Sequence, residues 1–304
     1  MRCSPLVSRP GWSGCSSSSF VGVSGAAPPP RFLGQTNGTP GRCGRASGAE
    51  REDAAREISR LGGLPETRRT TPLRVAVIGD SRACSLLTGL EAGARAVDAR
   101  ITNGSVLGCG VVAGAVSQSV GTVPRSSARR CSAKVRRVVD QVVASSDPEV
   151  VIWLSGWESN DLEIRPGHDT RAGSPAQDRV LSQRMDAFLA RLRRPGRTLV
   201  ILTVPEDSDA AFRFAYNRSR ARAVEHLNQL YREFAARHPD EVRIVDLARY
   251  VCPNARPCPV VRDGIKPRPD DGVHFGPTGA GWAARWVWTA LLGSVASAEG
   301  RAGR

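Results

Sequence analysis

Lysine is nearly missing from this chain. Lys134 and Lys266 are its only two, although lysine and arginine together number 43 in 304 residues. Against 29 acidic residues this leaves a formal net charge of +14, carried almost wholly by arginine. With abundant Ala, Gly, Pro and Val, that bias has the character of GC-rich coding. The arginines are scattered rather than striped, and aromatic residues make up only 5% of the chain. A nucleic-acid binder concentrates its basic residues on one face, and a single-strand binder adds aromatic platforms for the bases. No nucleic-acid partner is expected, although a basic surface still attracts an anionic envelope polymer or lipid headgroup.

Other absences narrow the field further. No apolar run approaches the length of about 18 residues that a membrane-crossing helix needs. The eight cysteines contain no C-x-x-C pair, which excludes a zinc ribbon or a dithiol redox motif. No His/Cys/Asp cluster has metal-ligand spacing, so neither metal nor cofactor is expected. Histidine occurs only four times, at His168, His226, His238 and His274.

Four of the eight cysteines fall into two candidate pairs. Cys252 and Cys258 bracket a Pro-rich loop, and Cys109 and Cys131 flank a Gly/Ser-rich segment. Both pairs would staple irregular loops in an oxidising compartment, the other reading being four unrelated buried thiols. Cys84 reads as a packing residue. Cys3, Cys15 and Cys43 fall in residues 1–71, a Ser/Gly/Pro/Arg-rich stretch that lacks hydrophobic periodicity and is expected to stay disordered. Within it, Glu50–Leu61 has the makings of a short exposed helix. No basic start followed by an apolar core marks a secretory leader. That conflicts with the disulfide reading and leaves a cytoplasmic location open beside an extracellular or envelope one; a misplaced start codon would reconcile the two.

From Pro72 the pattern alternates. Apolar runs at Leu73–Ile78, Val97–Thr102, Glu149–Leu154, Thr198–Val204 and Val242–Asp246 read as strands. Continuous runs such as 150–154 suit a parallel sheet covered on both faces. Helices are expected near Arg82–Arg95, Ala128–Ser145, Ala176–Arg193, Arg218–Arg237 and Gly276–Leu292. Val135, Val138, Val139, Val142 and Val143 form one apolar face in the second of these. The expected architecture is α/β: a three-layer α/β/α sandwich with a mostly parallel sheet, flavodoxin-like, over residues 72–293, followed by a disordered tail at 294–304.

Two motifs carry chemistry. Gly79-Asp80-Ser81 follows the first apolar run, and Asp271-Gly272-Val273-His274 lies near the C-terminus. Open parallel sheets place reacting groups at the carboxyl ends of their strands. A serine there, with a histidine base oriented by an aspartate, is a nucleophile set for acyl chemistry. Taken alone, Ser81 reads first as the N-cap of a helix, and Asp270 competes with Asp271.

Four ordered blocks then carry a family resemblance: 77–81 (Val-Ile-Gly-Asp-Ser), 103–110 (Asn-Gly-Ser-Val-Leu-Gly-Cys-Gly), 152–158 (Ile-Trp-Leu-Ser-Gly-Trp-Glu) and 271–275 (Asp-Gly-Val-His-Phe). Over roughly residues 73–293 the chain resembles the SGNH (GDSL-type) hydrolases, most of all the SGNH domains associated with bacterial acyltransferase-3 proteins. The resemblance implies Ser81 as nucleophile, His274 as base and Asp271 as its orienter. It implies Gly108 as a donor to the oxyanion, with Gly110 an alternative. Most of the superfamily has an asparagine in the third block, where this chain has Trp157 and Glu158, with Asn160 two residues late. Either Asn160 reaches back, or the hole relies on backbone donors and the Trp157 indole; Glu158 is a substrate contact or a buried acid paired with an arginine. The implied activity is that of a serine esterase or O-acyl transferase on ester-linked acyl groups, acetyl groups of an envelope glycan above all, with an acylated glycan or small ester as substrate and a separate membrane acyltransferase as a candidate partner. Hydrolysis and transfer are not separated by sequence. A non-catalytic glycan-binding module of the same fold is the competing reading.

Overall fold

The computed structural model describes residues 43–67, 69–117, 130–165, 167–208, 218–253 and 257–302. Its strands are β1 (Leu73–Gly79), β2 (Ala99–Asn103), β3 (Ala115–Val116), β4 (Val150–Leu154), β5 (Leu162–Arg165), β6 (His168–Thr170), β7 (Thr198–Leu202) and β8 (Val242–Val245). Its helices are α1 (Gly48–Arg60), α2 (Ser81–Ala94), α3 (Cys131–Ser146), α4 (Pro175–Leu192), α5 (Arg218–Arg237), α6 (Leu247–Val251) and α7 (Pro277–Ala302).

The five long apolar runs form one parallel sheet in the order β2-β1-β4-β7-β8. β4 is buried along its whole length, as a central parallel strand with both faces covered must be. The chain leaves β1 toward β2, then crosses back over β1 to reach β4. That reversal makes the carboxyl ends of β1 and β4 the topological switch point, the place where ligands of open α/β sheets bind. α3 buries Val135, Val138, Val139 and Val142, while Val143 lies at the margin of the core. The mostly parallel α/β sandwich expected from the sequence is the fold observed.

α2 and α7 pack backbone to backbone. A Cβ on Gly89 would collide with the Ala280 carbonyl, and one on Gly281 with the Ala54 carbonyl of α1. Gly89→Ala is therefore expected to push the helices apart and cost about 1–3 kcal/mol, read from urea unfolding.

α1 corrects the N-terminal boundary. A capping box closes it, with Glu50 N–H donating to Ser47 Oγ and Ser47 N–H to the Glu50 carboxylate. Ala54, Glu57 and Ile58 are buried, and Cys43 is disulfide-bonded to Cys84. Residues 43–67 therefore belong to the fold instead of an unfolded stretch ending at 71, and Cys84 is more than a packing residue. Three buried side chains on a 13-residue helix leave little periodicity to read, and the helix packs against α2 and against α7, which is more than 200 residues away. Cys3, Cys15 and the rest of residues 1–42 lie outside the described residues. At the other end α7 continues to Ala302, where a tail was expected from 294. β3, β5 and β6, which form a small antiparallel sheet in the order β3-β5-β6, were not foreseen, nor was α6. His168, expected in a loop, lies in β6. Among the described residues no helix is long and apolar enough to cross a membrane, and no group of three or more His, Cys, Asp or Glu side chains is placed to hold a metal ion.

Candidate active site

The nucleophile turn begins where β1 runs out. Gly79 has φ 154°, and a Cβ there would collide with the Leu154 carbonyl and the Ala83 side chain. The chain then turns into α2, whose N-cap is Asp80 and not Ser81. The Asp80 carboxylate, 3% exposed, accepts the Arg82 N–H on Oδ1 at 2.8 Å, and the N–H groups of Gly156 and Trp157 on Oδ2 at 2.8 and 3.1 Å. It thus caps α2 and holds the turn after β4 with one side chain. Ser81 is left free of the capping task, in the first turn of a helix whose opening N–H groups lack intrahelical acceptors. Asp80→Ala would orphan three buried donors. The expected loss is at least about 1–3 kcal/mol, measurable as a lower denaturation midpoint.

The second motif meets the first here. His274 Nε2 lies 2.7 Å from Ser81 Oγ, and His274 Nδ1 lies 2.6 Å from Asp271 Oδ2. Asp271 Oδ1 accepts the N–H groups of Val273 and His274 at 2.9 and 2.8 Å. Burial pushes the Asp271 carboxyl up, but the His274 hydrogen bond and charge with the two backbone donors outweigh it and bring it down to about 2. Phe275 N–H donates to Ser85 Oγ at 3.1 Å, one helical turn beyond Ser81, which fastens the base loop onto α2. Gly272, at φ 69°, packs against Ser208, whose N–H donates to the Gly272 carbonyl at 2.9 Å. Asp270 is exposed and has no such role. His226 and His238 lie elsewhere, paired with Asp178 and Asp186.

The glycine block follows β2. Gly104 N–H donates to the Val77 carbonyl at 2.7 Å and Val106 N–H to the Gly79 carbonyl at 2.8 Å. These bonds lay the block along the end of β1, so Gly108 follows two residues after a tether to the nucleophile turn. Its two glycines answer different needs. Gly108 has φ 69°, while a Cβ on Gly110 would crowd Glu158, Ala113 and Trp157. Cys109 is bonded to Cys131 at the start of α3, and Cys252 to Cys258.

The third block does not supply the missing amide. Asn160 Nδ2 donates to the Trp157 carbonyl at 2.8 Å, closing the short turn Trp157–Ser159. The Trp157 indole N–H is buried and finds no acceptor among the described residues. Glu158 is only 1% exposed, and among the described residues no arginine is hydrogen-bonded to it. Its Oε1 accepts Val112 N–H at 3.0 Å, and Oε2 lies 2.5 Å from Ser155 Oγ. Burial, first among the influences on this carboxyl, pushes it up.

Several supporting residues had escaped the sequence reading. Arg82 donates to the Pro205 carbonyl and pairs with Asp207, which also takes Arg220. Arg268 is buried, donating to the Glu206 carbonyl and to Cys258 Sγ; burial first, then Arg82, pushes its guanidinium down to about 9. Arg184 donates to the carbonyls of Val112 and Ala113 in the glycine loop. Only Ser85, at helical spacing from Ser81, left a signal in the sequence.

The family model for the SGNH domain (fused to AT3 domains) matches residues 42–287, most of the chain. The chain belongs to this SGNH family. No curated protein sequence matches this chain significantly. Among solved structures it is similar to the periplasmic domain of a lipopolysaccharide acetyltransferase from Salmonella ser. Paratyphi A, at 13% identity over 81% of this chain and 98% of that one, with a TM-score of 0.47. It is also similar to a lipase/acylhydrolase from Enterococcus faecalis, at 12% identity over 73% and 96% with a TM-score of 0.46. A third is an acetyl xylan esterase, at 13% identity over 72% and 100% with a TM-score of 0.45.

Proposed function

We propose that this SGNH domain is a serine esterase or O-acyl transferase that carries an acyl group on Ser81. The observation behind this reading is the unbroken contact from Asp271 through His274 to Ser81, at 2.6 and 2.7 Å, at the carboxyl end of the sheet. His274 Nε2 takes the hydroxyl proton as Ser81 Oγ attacks the ester carbonyl, and Asp271 holds the other ring nitrogen as donor. The tetrahedral oxyanion is received by the backbone N–H of Ser81, at the α2 N-terminus, and that of Gly108, in the loop after β2. Collapse expels the alcohol, which takes its proton from His274, and leaves an acyl-enzyme that water or a sugar hydroxyl then resolves. With Asn160 turned to the Trp157 carbonyl, no side-chain amide of this block is assigned to the hole.

The acyl group is proposed to be acetyl, exchanged with an envelope glycan, and a separate membrane acyltransferase is the proposed donor partner. Fusion of this family to AT3 domains supports the partner. Three disulfides support an extracytoplasmic location, since such bonds persist in oxidising compartments. Residues 43–293 are the proposed extent of the folded domain. The deciding experiment incubates the full chain with chromogenic acetyl and butyryl esters and with a fluorophosphonate probe. Turnover together with labelling of Ser81 supports the enzyme; neither, at any pH between 6 and 9, leaves the glycan-binding module as the better reading.

A further inference from the structure

The hydroxyl of Ser155 stands between two carboxylates, 2.5 Å from Glu158 Oε2 and 3.4 Å from Asp80 Oδ2. Ser155, Glu158 and Asp80 are 0%, 1% and 3% exposed. A serine hydroxyl has one proton to give. If both acids were ionised, that proton would serve one of them and leave an oxygen lone pair facing the other, with no water between to screen the repulsion.

The surrounding donors are already committed. The Tyr231 hydroxyl on α5 donates to the Ser155 carbonyl at 3.0 Å. Arg184 on α4, the cation facing Glu158, donates to the carbonyls of Val112 and Ala113. Arg82 on α2 goes to the Pro205 carbonyl and Asp207, and the Gln177 amide goes to the carbonyls of Glu158 and Asn160. Asp80 receives three backbone N–H groups, whereas Val112 is the one other residue among those described whose backbone N–H reaches the Glu158 carboxyl.

We propose that Glu158 is kept protonated in the folded protein, donating to Ser155 Oγ while Ser155 donates to Asp80, so that Glu158 is a positioning residue joining the nucleophile turn to the glycine loop. Every group in the chain is then satisfied: Glu158 O–H to Ser155, Ser155 O–H to Asp80 Oδ2, and Val112 N–H to Glu158 Oε1. Burial, followed among the upward influences by the Asp80 charge, drives this carboxyl in the same direction, against the hydrogen bonds from Ser155 and Val112. Through Val112 the chain reaches the loop that carries Gly108. Its effect on turnover rests on the ester chemistry proposed above; the location of the proton does not.

Glu158→Gln tests it, because a glutamine amide reproduces the protonated acid, with N–H to Ser155 and C=O to Val112. A group retained as the acid in the fold stabilises it fully below its unfolded range near pH 4.3, and that stability is lost as pH rises toward its folded value. Between pH 5 and 8 the wild-type folding equilibrium constant should therefore fall relative to Glu158→Gln by up to about tenfold per pH unit. Infrared spectra at pH 6 should show one protonated-carboxyl band in the wild type that the Gln variant lacks. Where turnover is measurable, Glu158→Ala should lose on the order of 10²-fold in kcat through displacement of the loop, and Glu158→Gln should recover most of it. Parallel stability–pH curves for wild type and Gln, with no carboxyl band lost, would overturn the proposal. The stability and infrared measurements decide it even if no ester is turned over.

Discussion

Ser81→Ala is expected to lower kcat for a short acyl ester by roughly 10⁴–10⁶, to a residue of activity owed to binding and the oxyanion donors alone. The effect is large because no other group stands in for the attacking oxygen. His274 Nε2 has Ser81 Oγ as its partner at 2.7 Å, and the phenolic and carboxyl groups nearby are buried in structural bonds. The fold should be untouched, since the helix cap is carried by Asp80 and the Oγ being removed is not the cap acceptor. Circular dichroism and the denaturation midpoint should match the wild type while fluorophosphonate labelling disappears. A variant that keeps more than a tenth of the wild-type rate would remove Ser81 from the reaction.

Asp271→Asn should cost about 10⁴ in kcat with little change in structure. The amide keeps one oxygen for the N–H groups of Val273 and His274, so the loop survives. Its nitrogen, though, would donate to His274 Nδ1 and force the ring proton onto Nε2, which would then present a hydrogen to Ser81 in place of a lone pair. The same substitution has a signature in acid. The folded carboxyl is held at about 2, below its unfolded range near 3.9. Its contribution to stability is therefore complete above pH 4 and disappears as pH falls toward 2. Wild-type protein should lose stability over that window more steeply than the Asn variant. Equal slopes would mean that the Asp271–His274 contact does not form in solution.

The strands were legible because a covered parallel sheet writes itself as continuous apolar runs; 73–79, 150–154, 198–202 and 242–245 all fall within two residues of where Leu, Val and Ile accumulate. The small sheet was not, since strands of two to four residues with mixed burial, such as Ala115–Val116 and His168–Thr170, have no measurable period. α1 was legible as a short helix over Glu50–Leu61 but was expected to be exposed; its burial depends in part on a close approach to a glycine of α7. The Cys43–Cys84 bond spans 41 residues, and nothing in its flanking sequence announces the partner.

The site divides along the same line. Residue type and order offered Ser81, His274 and either Asp271 or Asp270 as candidates for acyl chemistry, and the four blocks of family resemblance singled out Ser81, Asp271 and His274 as the set. The roles of the residues around them were settled only by folding. Asp80, not Ser81, caps α2; the Asn160 amide turns to the carbonyl of Trp157; Glu158 faces Val112 and Ser155. Each depends on backbone N–H and C=O groups contributed by other segments, which every residue possesses and no sequence pattern distinguishes. Side-chain identity is written along the chain, while hydrogen-bond partnership arises only where distant segments are packed against one another.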